Sequence, residues 1–270
     1  MQSRSLLSRS ILMLTLSMLP YSTSGAGAPP RSAPLPQVNA KVRGQYVVVL
    51  MWHDVVESKK EIWFDTTVAE LKAQLAAIKR RNCHVITMET LIQSLTQGTP
   101  LPSRPVVLTF DDNNQGLYDN AFPLLKQYHY PATFFVHTNF VGVPTSKAHC
   151  DWPTLVKMQQ SGLVRVEGHT CSHPADMRLL PDSENRKELS DSKALIEKHM
   201  GKPCTAFAYP EGHFDDHVAH LAAEAGYKVA FTENWGSATA SPNLFLVHRY
   251  SIHKRFAQAL SDLAAAWPQK

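Results

Sequence analysis

Runs of basic residues, long apolar stretches and abundant cysteine are all missing from this 270-residue sequence. Lys and Arg number 27 against 23 acidic residues, a formal charge of +4. So thin a surplus, without basic runs, gives no reason to expect a nucleic-acid partner. No apolar stretch reaches the ~20 residues that cross a bilayer comfortably, so no permanent membrane span is expected. The four cysteines allow two disulfides at most, in three connectivities. Nothing in the middle of the chain reads as a linker, which leaves one large α/β domain.

Arg4 and Arg9, then apolar residues 11–19, then Ser24-Gly25-Ala26 follow the order of a secretory signal cleaved after Ala26. Residues 1–26 are therefore expected to direct export, to a periplasmic or secreted location, with an uncleaved anchor as the alternative. Residues 27–43, rich in Pro, Ala, Ser and Gly, predict a flexible leader, and residues 44–270 the folded domain. In an exported chain cysteines can pair. Cys83 and Cys204 each precede an expected strand, whereas Cys150 and Cys171 lie in loops of the opposite face. The pairs Cys83–Cys204 and Cys150–Cys171 are expected, with buried free thiols as the alternative.

From residue 45 strand-like and helix-like segments alternate. Apolar runs predict strands over 46–51, 106–110, 132–136, 163–167, 204–209, 227–232 and 245–252. Residues 67–81 carry Val68, Leu71, Leu75 and Ile78 at the spacing of one helical face. Further helices are expected over 120–128, 154–160, 183–199, 216–225 and 256–267. Such alternation implies parallel strands with helices outside, and in that architecture chemistry collects at the C-terminal strand ends. His53-Asp54, Asp111-Asp112, residues 169–173 and Glu211-Gly212 each directly follow an expected strand. Four polar clusters far apart in sequence would then open onto one rim.

Two of these clusters carry metal chemistry. Asp111 and Asp112 end an apolar strand, where adjacent carboxylates are costly unless a cation or proton compensates them. Their side chains point differently, so one can hold a metal while the other faces substrate; a solvated acidic turn is the plainer alternative. His169 and His173 stand four residues apart, a spacing that puts both imidazoles on one side of a helical turn. Two surface histidines would also explain it. Together with a carboxylate on the same rim, the pair points to a His₂Asp site with open positions for water.

In this order, Thr109-Phe110-Asp111-Asp112, His169-x-x-x-His173 and Tyr209-Pro210-Glu211-Gly212 resemble the motifs of the polysaccharide deacetylase family, carbohydrate esterase family four or the NodB homology domain. The resemblance covers roughly residues 45–255. Met51-Trp52-His53-Asp54 is similar to the first-strand motif of the branch that deacetylates poly-N-acetylglucosamine of biofilms. What this implies is a distorted (β/α) barrel and a monomeric hydrolase that removes N-acetyl groups from an N-acetylated polysaccharide. It also implies a divalent metal, Zn2+ first, with Co2+ or Ni2+ as alternatives. Asp111 is the implied general base, Asp112, His169 and His173 the metal ligands, and His53 the general acid, with His248 as a second candidate. Tyr209, Pro210 and the Glu211 backbone N–H would serve the oxyanion and substrate. Asp151-Trp152 resembles an aromatic wall, although Trp152 and His53 can each be read as core residues. Other readings on the same fold are an acetyl esterase and an inactive sugar-binding module.

The chain departs from the pattern in places. Asn113 stands where Gly often follows the aspartates, and Asn tolerates a left-handed backbone. Ala208 stands where many members carry an Arg that orients the base, an Arg the biofilm branch also lacks. Asp111 is then expected to need another orienting partner. Glu211 replaces a frequent Tyr.

Overall fold

The computed structural model describes residues 33–267, so the expected signal segment lies outside the described residues. Ten strands alternate with seven α-helices: β1 Val48–Trp52, β2 Val55–Val56, β3 Thr66–Thr67, α1 Val68–Arg80, β4 His84–Val85, α2 Met88–Gln97, β5 Pro105–Phe110, α3 Phe122–Tyr128, β6 Ala132–Val136, α4 Trp152–Gln160, β7 Val164–Gly168, α5 Asp182–Met200, β8 Ala206–Ala208, α6 Asp216–Glu224, β9 Val229–Phe231, β10 Tyr250–Ser251 and α7 Ile252–Ala266. The main sheet runs β10-β1-β5-β6-β7-β8-β9, with β4 beside β5, and every pair in it is parallel. β1, β5 and β6 are buried at every position, as strands covered on both faces must be. The sheet curls into the expected distorted barrel. At its seam Val247 exchanges hydrogen bonds with Ala230 and Thr232 beside β9, while Tyr250 and Ser251 pair with Leu50 and Met51 of β1.

The helix ends follow their sequences. Thr67 and Glu70 form a reciprocal capping box on α1, and Asp151 and Asp215 cap α4 and α6. α2 and the short strands β2 and β3 were not anticipated. α2 does carry both end signals, an N-cap at Thr87 and Gly98 in the left-handed conformation at its C-terminus. The last two expected strands shrink: 227–232 keeps only Val229–Phe231, and 245–252 keeps Tyr250–Ser251 because the chain crosses the seam and enters α7 at once.

Two expectations are corrected. Within the leader 27–43, Leu35, Val38 and Val42 are buried, and the Asn39 N–H donates to the Leu95 carbonyl of α2. Three apolar side chains in a Pro-rich stretch suffice to dock it, so the packed domain begins near Pro34. All four cysteines are free thiols. Cys83 precedes β4, which shares with β6 the edge of β5 opposite β1, and Cys204 precedes β8, two strand spacings further along the sheet. At about 4.8 Å per strand that gap exceeds the Cα separation a disulfide spans. Cys150 lies against the Asn114 carbonyl and Cys171 against the carbonyls of Lys187 and Glu188, so these two do not meet either.

Candidate metal centre and active site

The C-terminal strand ends form one rim. β1 delivers His53, β5 Asp111 and Asp112, β6 His137, β7 His169, and β8 the turn Pro210–Gly212. After β5 the backbone is left-handed at both Asp112 (φ 73°) and Asn113 (φ 56°), which turns the two aspartates apart. A side chain on Gly116 in the same loop would strike the Val55 carbonyl, so glycine lets this loop close against β2.

Asp112 Oδ1 lies 3.5 Å from Nε2 of both His169 and His173, and the three donor atoms fall within 4.8 Å of one another. Two ligands of a tetrahedral zinc at about 2.1 Å sit roughly 3.4 Å apart, so the spacing is that of a shared ion. Asp112 Oδ1 is buried and has no hydrogen-bond partner among the described residues, an omission that a cation would repair. Burial would raise the Asp112 carboxyl, but the His169 imidazole and the charges of His53, His169 and His173 outweigh it and hold it well below the usual carboxylate range. Nδ1 of His169 is 2.7 Å from the Ala208 carbonyl. A proton donated there leaves the Nε2 lone pair free for a ligand. Ala208, where an orienting arginine was missed, thus supplies an orienting carbonyl to a different residue.

The histidine pair is not helical. Thr170 (φ 67°) and His173 (φ 53°) both take left-handed backbone, and the His173 N–H donates to Thr170 Oγ1. The loop is tied down by Glu188 of α5, whose carboxylate accepts from the Cys171 N–H (2.8 Å), the Ser172 N–H (2.9 Å) and Ser172 Oγ (2.6 Å). Burial leads the shifts of the two imidazoles in the same downward direction. Asp112, Asp111 and the Ala208 carbonyl reverse it at His169, whose pKa is raised, whereas His169 reinforces it at His173, whose pKa is lowered.

Asp111 is 2% exposed and meets Arg249, which has no exposure, in a two-pronged pair. Nη1 and Nη2 each donate to one carboxylate oxygen at 2.8 Å, and Nε donates to the Thr232 carbonyl. This guanidinium is the orienting partner that the sequence left open. It comes from the seam segment beside β10, and side-chain alternation along that segment sends His248 to the other side. There His248 sits against Gly236, with its N–H on Ser241, and lines neither cavity of the site.

Two cavities meet at the triad, sharing Phe64, Asp112, His173 and Glu211. The smaller, ≈ 230 Å³, is lined by His53, Asp111, His169 and Tyr209 as well as Trp63 and Lys254. The larger, ≈ 430 Å³, runs past His137, Phe140, Lys147 and His149. Glu211 takes a left-handed backbone (φ 54°); the Tyr209 N–H is already spent on the Phe231 carbonyl, and its hydroxyl donates to the Phe245 carbonyl. Trp152 is elsewhere: as the first residue of α4 it stacks face to face on His199 at 4.1 Å. The aromatic lining comes instead from Phe140 and from the loop 57–65. Lys147 holds that loop, bonding Asp54 at 2.7 Å and the fully buried Asp65 at 2.6 Å. Asp65 in turn accepts from the N–H groups of Glu61 and Ile62.

Sequence reasoning passed over Arg249, Lys147, His137 and the loop 57–65. His137 directly follows β6, as the other rim clusters follow their strands, and could have been found by that rule. Burial, reinforced by the neighbouring histidines, pushes its pKa down to about 3.

Known proteins resemble this chain in sequence and fold. The family model described as polysaccharide deacetylase matches residues 98–230. The poly-beta-1,6-N-acetyl-D-glucosamine N-deacetylase of Staphylococcus epidermidis is 30% identical over 228 residues, covering 79% of this chain and 76% of its own. Among solved structures, the Streptococcus pyogenes deacetylase PplD in complex with acetate superposes with a TM-score of 0.73 at 25% identity, over 83% of this chain and 99% of that one. IcaB from Ammonifex degensii gives 0.72 at 26% identity, over 83% and 97%. A rim of matching motifs, on a matching barrel, in a chain this similar to a named deacetylase leads to one conclusion: the protein belongs to the polysaccharide deacetylase family and is an enzyme of that kind.

Proposed function

We propose that the protein is an exported, metal-dependent hydrolase that removes N-acetyl groups from a poly-N-acetylglucosamine-like polysaccharide and acts as a monomer. The observation that carries this reading is the Asp112–His169–His173 triad set beside an Asp111 that a buried arginine holds in place. Asp112, His169 and His173 would hold the ion, zinc first and cobalt or nickel otherwise; bound there it would supply Lewis acidity to a water and to the acetyl carbonyl. Asp111 takes the proton of the attacking water, its carboxylate fixed by Arg249. The Glu211 backbone N–H faces the oxyanion, a contact worth about 3 kcal/mol. His53, on the same cavity, gives a proton to the departing nitrogen. His248, on the far side of its strand, is displaced from that role.

The Staphylococcus relative's name supports the choice of polymer. The signal-like order of residues 1–26 supports export, and no described helix is long and apolar enough to cross a membrane. Absence of an orienting arginine was the one argument for an inactive sugar-binding module, and Arg249 removes it. The test is acetate release from N-acetylglucosamine oligomers, with acetylxylan as the ester comparison and elemental analysis of the purified protein. Asp111→Asn should retain the metal and lose turnover, and His169→Ala should lose both. Full activity in Asp111→Asn would refute the assignment of the base.

A further inference from the structure

Large hydrophobic side chains exposed to water are few among the described residues, and two of them are tryptophans braced by one turn of chain. Trp63, 64% exposed, lies on the loop that Lys147 clamps, and it lines the smaller cavity together with Asp111 and Asp112. Lys254 Nζ lies 5.0 Å from its ring centroid, and His253 meets its edge. Trp235, 52% exposed, lies just past β9, with the Arg255 guanidinium 4.1 Å from its ring. Residues 253–255 are consecutive at the start of α7, where Arg255 (φ −141°) breaks the helical geometry. The cations lie against the indoles and restrain their orientation, while more than half of each residue stays exposed. Neither ring serves the core to an extent that would require its size.

We propose that Trp63 and Trp235 form a glycan-binding track leading out of the metal cavity, on which successive N-acetylglucosamine units of the substrate chain stack; this rests on the deacetylase reading above. A flat aromatic face matches the C–H face of a pyranose ring, and a half-wet indole offers it at little ordering cost. Lys254 and Arg255 beside the rings suit the acetamido and hydroxyl oxygens of a neutral, acetylated chain. They repel the ammonium groups of a deacetylated one. The track therefore admits substrate more readily than product. A lipid surface fits less well, because Trp63 opens directly onto Asp111 and Asp112.

The test is chain-length dependence. Acetate release is measured on N-acetylglucosamine oligomers from dimer to hexamer, with hexamer binding followed by calorimetry in parallel. In the wild type kcat/KM should climb with length. In Trp235→Ala that climb should flatten, with a loss of about five- to tenfold on the hexamer carried by KM, and Trp235→Tyr should restore most of it. An unchanged length profile and unchanged hexamer affinity in Trp235→Ala would overturn the track. So would loss of pelleting with phosphatidylglycerol vesicles in that variant beside an intact length profile, which would assign the rings to a lipid surface. A wild type that releases no acetate from any oligomer fails the deacetylase reading instead; calorimetry then still decides the track, equal hexamer affinities overturning it.

Discussion

Replacing Arg249 by methionine removes a charge and leaves most of the side-chain volume, so it isolates what the guanidinium does. In the native protein it makes two hydrogen bonds of 2.8 Å to a carboxylate that is 2% exposed, and a third to the Thr232 carbonyl. Breaking a buried pair on one side costs about 3–5 kcal/mol, because the remaining ion is stranded. In a domain of this size that lowers Tm on the order of 10 °C. The carboxylate also loses the fork that fixes its orientation, and on the proposed mechanism this weakens a general base worth roughly 10²–10⁴ in rate. Turnover should therefore fall about 100-fold or more. Arg249→Lys keeps the charge without the fork and should fall between. The decisive comparison is the double variant Arg249→Met with Asp111→Asn, which removes both charges at once. Its melting temperature should recover most of the loss while its acetate release stays at the floor. Calorimetric melting and acetate assay on the four proteins are enough. A wild-type rate in Arg249→Met would show that Asp111 needs no orientation from this residue, and the reasoning would fail.

Glu188→Ala should loosen the loop between the two histidines, since three donors lose their acceptor; metal affinity read by equilibrium dialysis should drop about 10–100-fold while α5 stays folded by circular dichroism. Lys147→Met should free the loop 57–65 and raise KM for oligomers more than it lowers kcat, with Asp54 and Asp65 left without their cation. The same clamp has a pH limit. Burial would raise the Asp65 carboxyl, but Lys147 and the Glu61 and Ile62 N–H groups hold it below its ordinary 3.8. Its contribution to stability is thus present above pH 3.8 and is lost as pH falls through the lower, folded value; melting curves that already lose this contribution near neutral pH would contradict it. Finally, four thiols should titrate in denaturant without reductant, and two or none would restore a disulfide.

Much of this architecture can be read from apolar runs alone, because parallel strands buried on both faces need unbroken β-branched and aromatic stretches, as in Val106-Val107-Leu108. The rim follows from the same reading: His53, Asp111, Asp112 and His169 each end such a run. The misses have physical causes. α2 mixes Thr, Ser and Ile with its leucines, and only its caps at Thr87 and Gly98 declare it. The histidine loop has the spacing of a helical turn, but the left-handed residues Thr170 and His173, held by Glu188 from another element, place the imidazoles instead.

Arg249 shows why position along the chain is a poor guide to an orienting residue. What the Asp111 carboxylate requires is a fork of donors arriving from inside the barrel, and several strand ends border that space. Across the barrel β8 offers Ala208, whose carbonyl is taken by His169. The seam segment crosses beside β1 and so borders the same interior, with the Arg249 guanidinium 5.5 Å from the Phe135 ring. An arginine in an apolar strand is the signal to look for, since a charge there is buried only when a partner meets it. Leu246-Val247-His248-Arg249-Tyr250 contains two basic side chains on opposite faces. Alternation decides which of them reaches Asp111: Arg249 faces inward and pairs with its carboxylate, and His248 points to the other side, against Gly236.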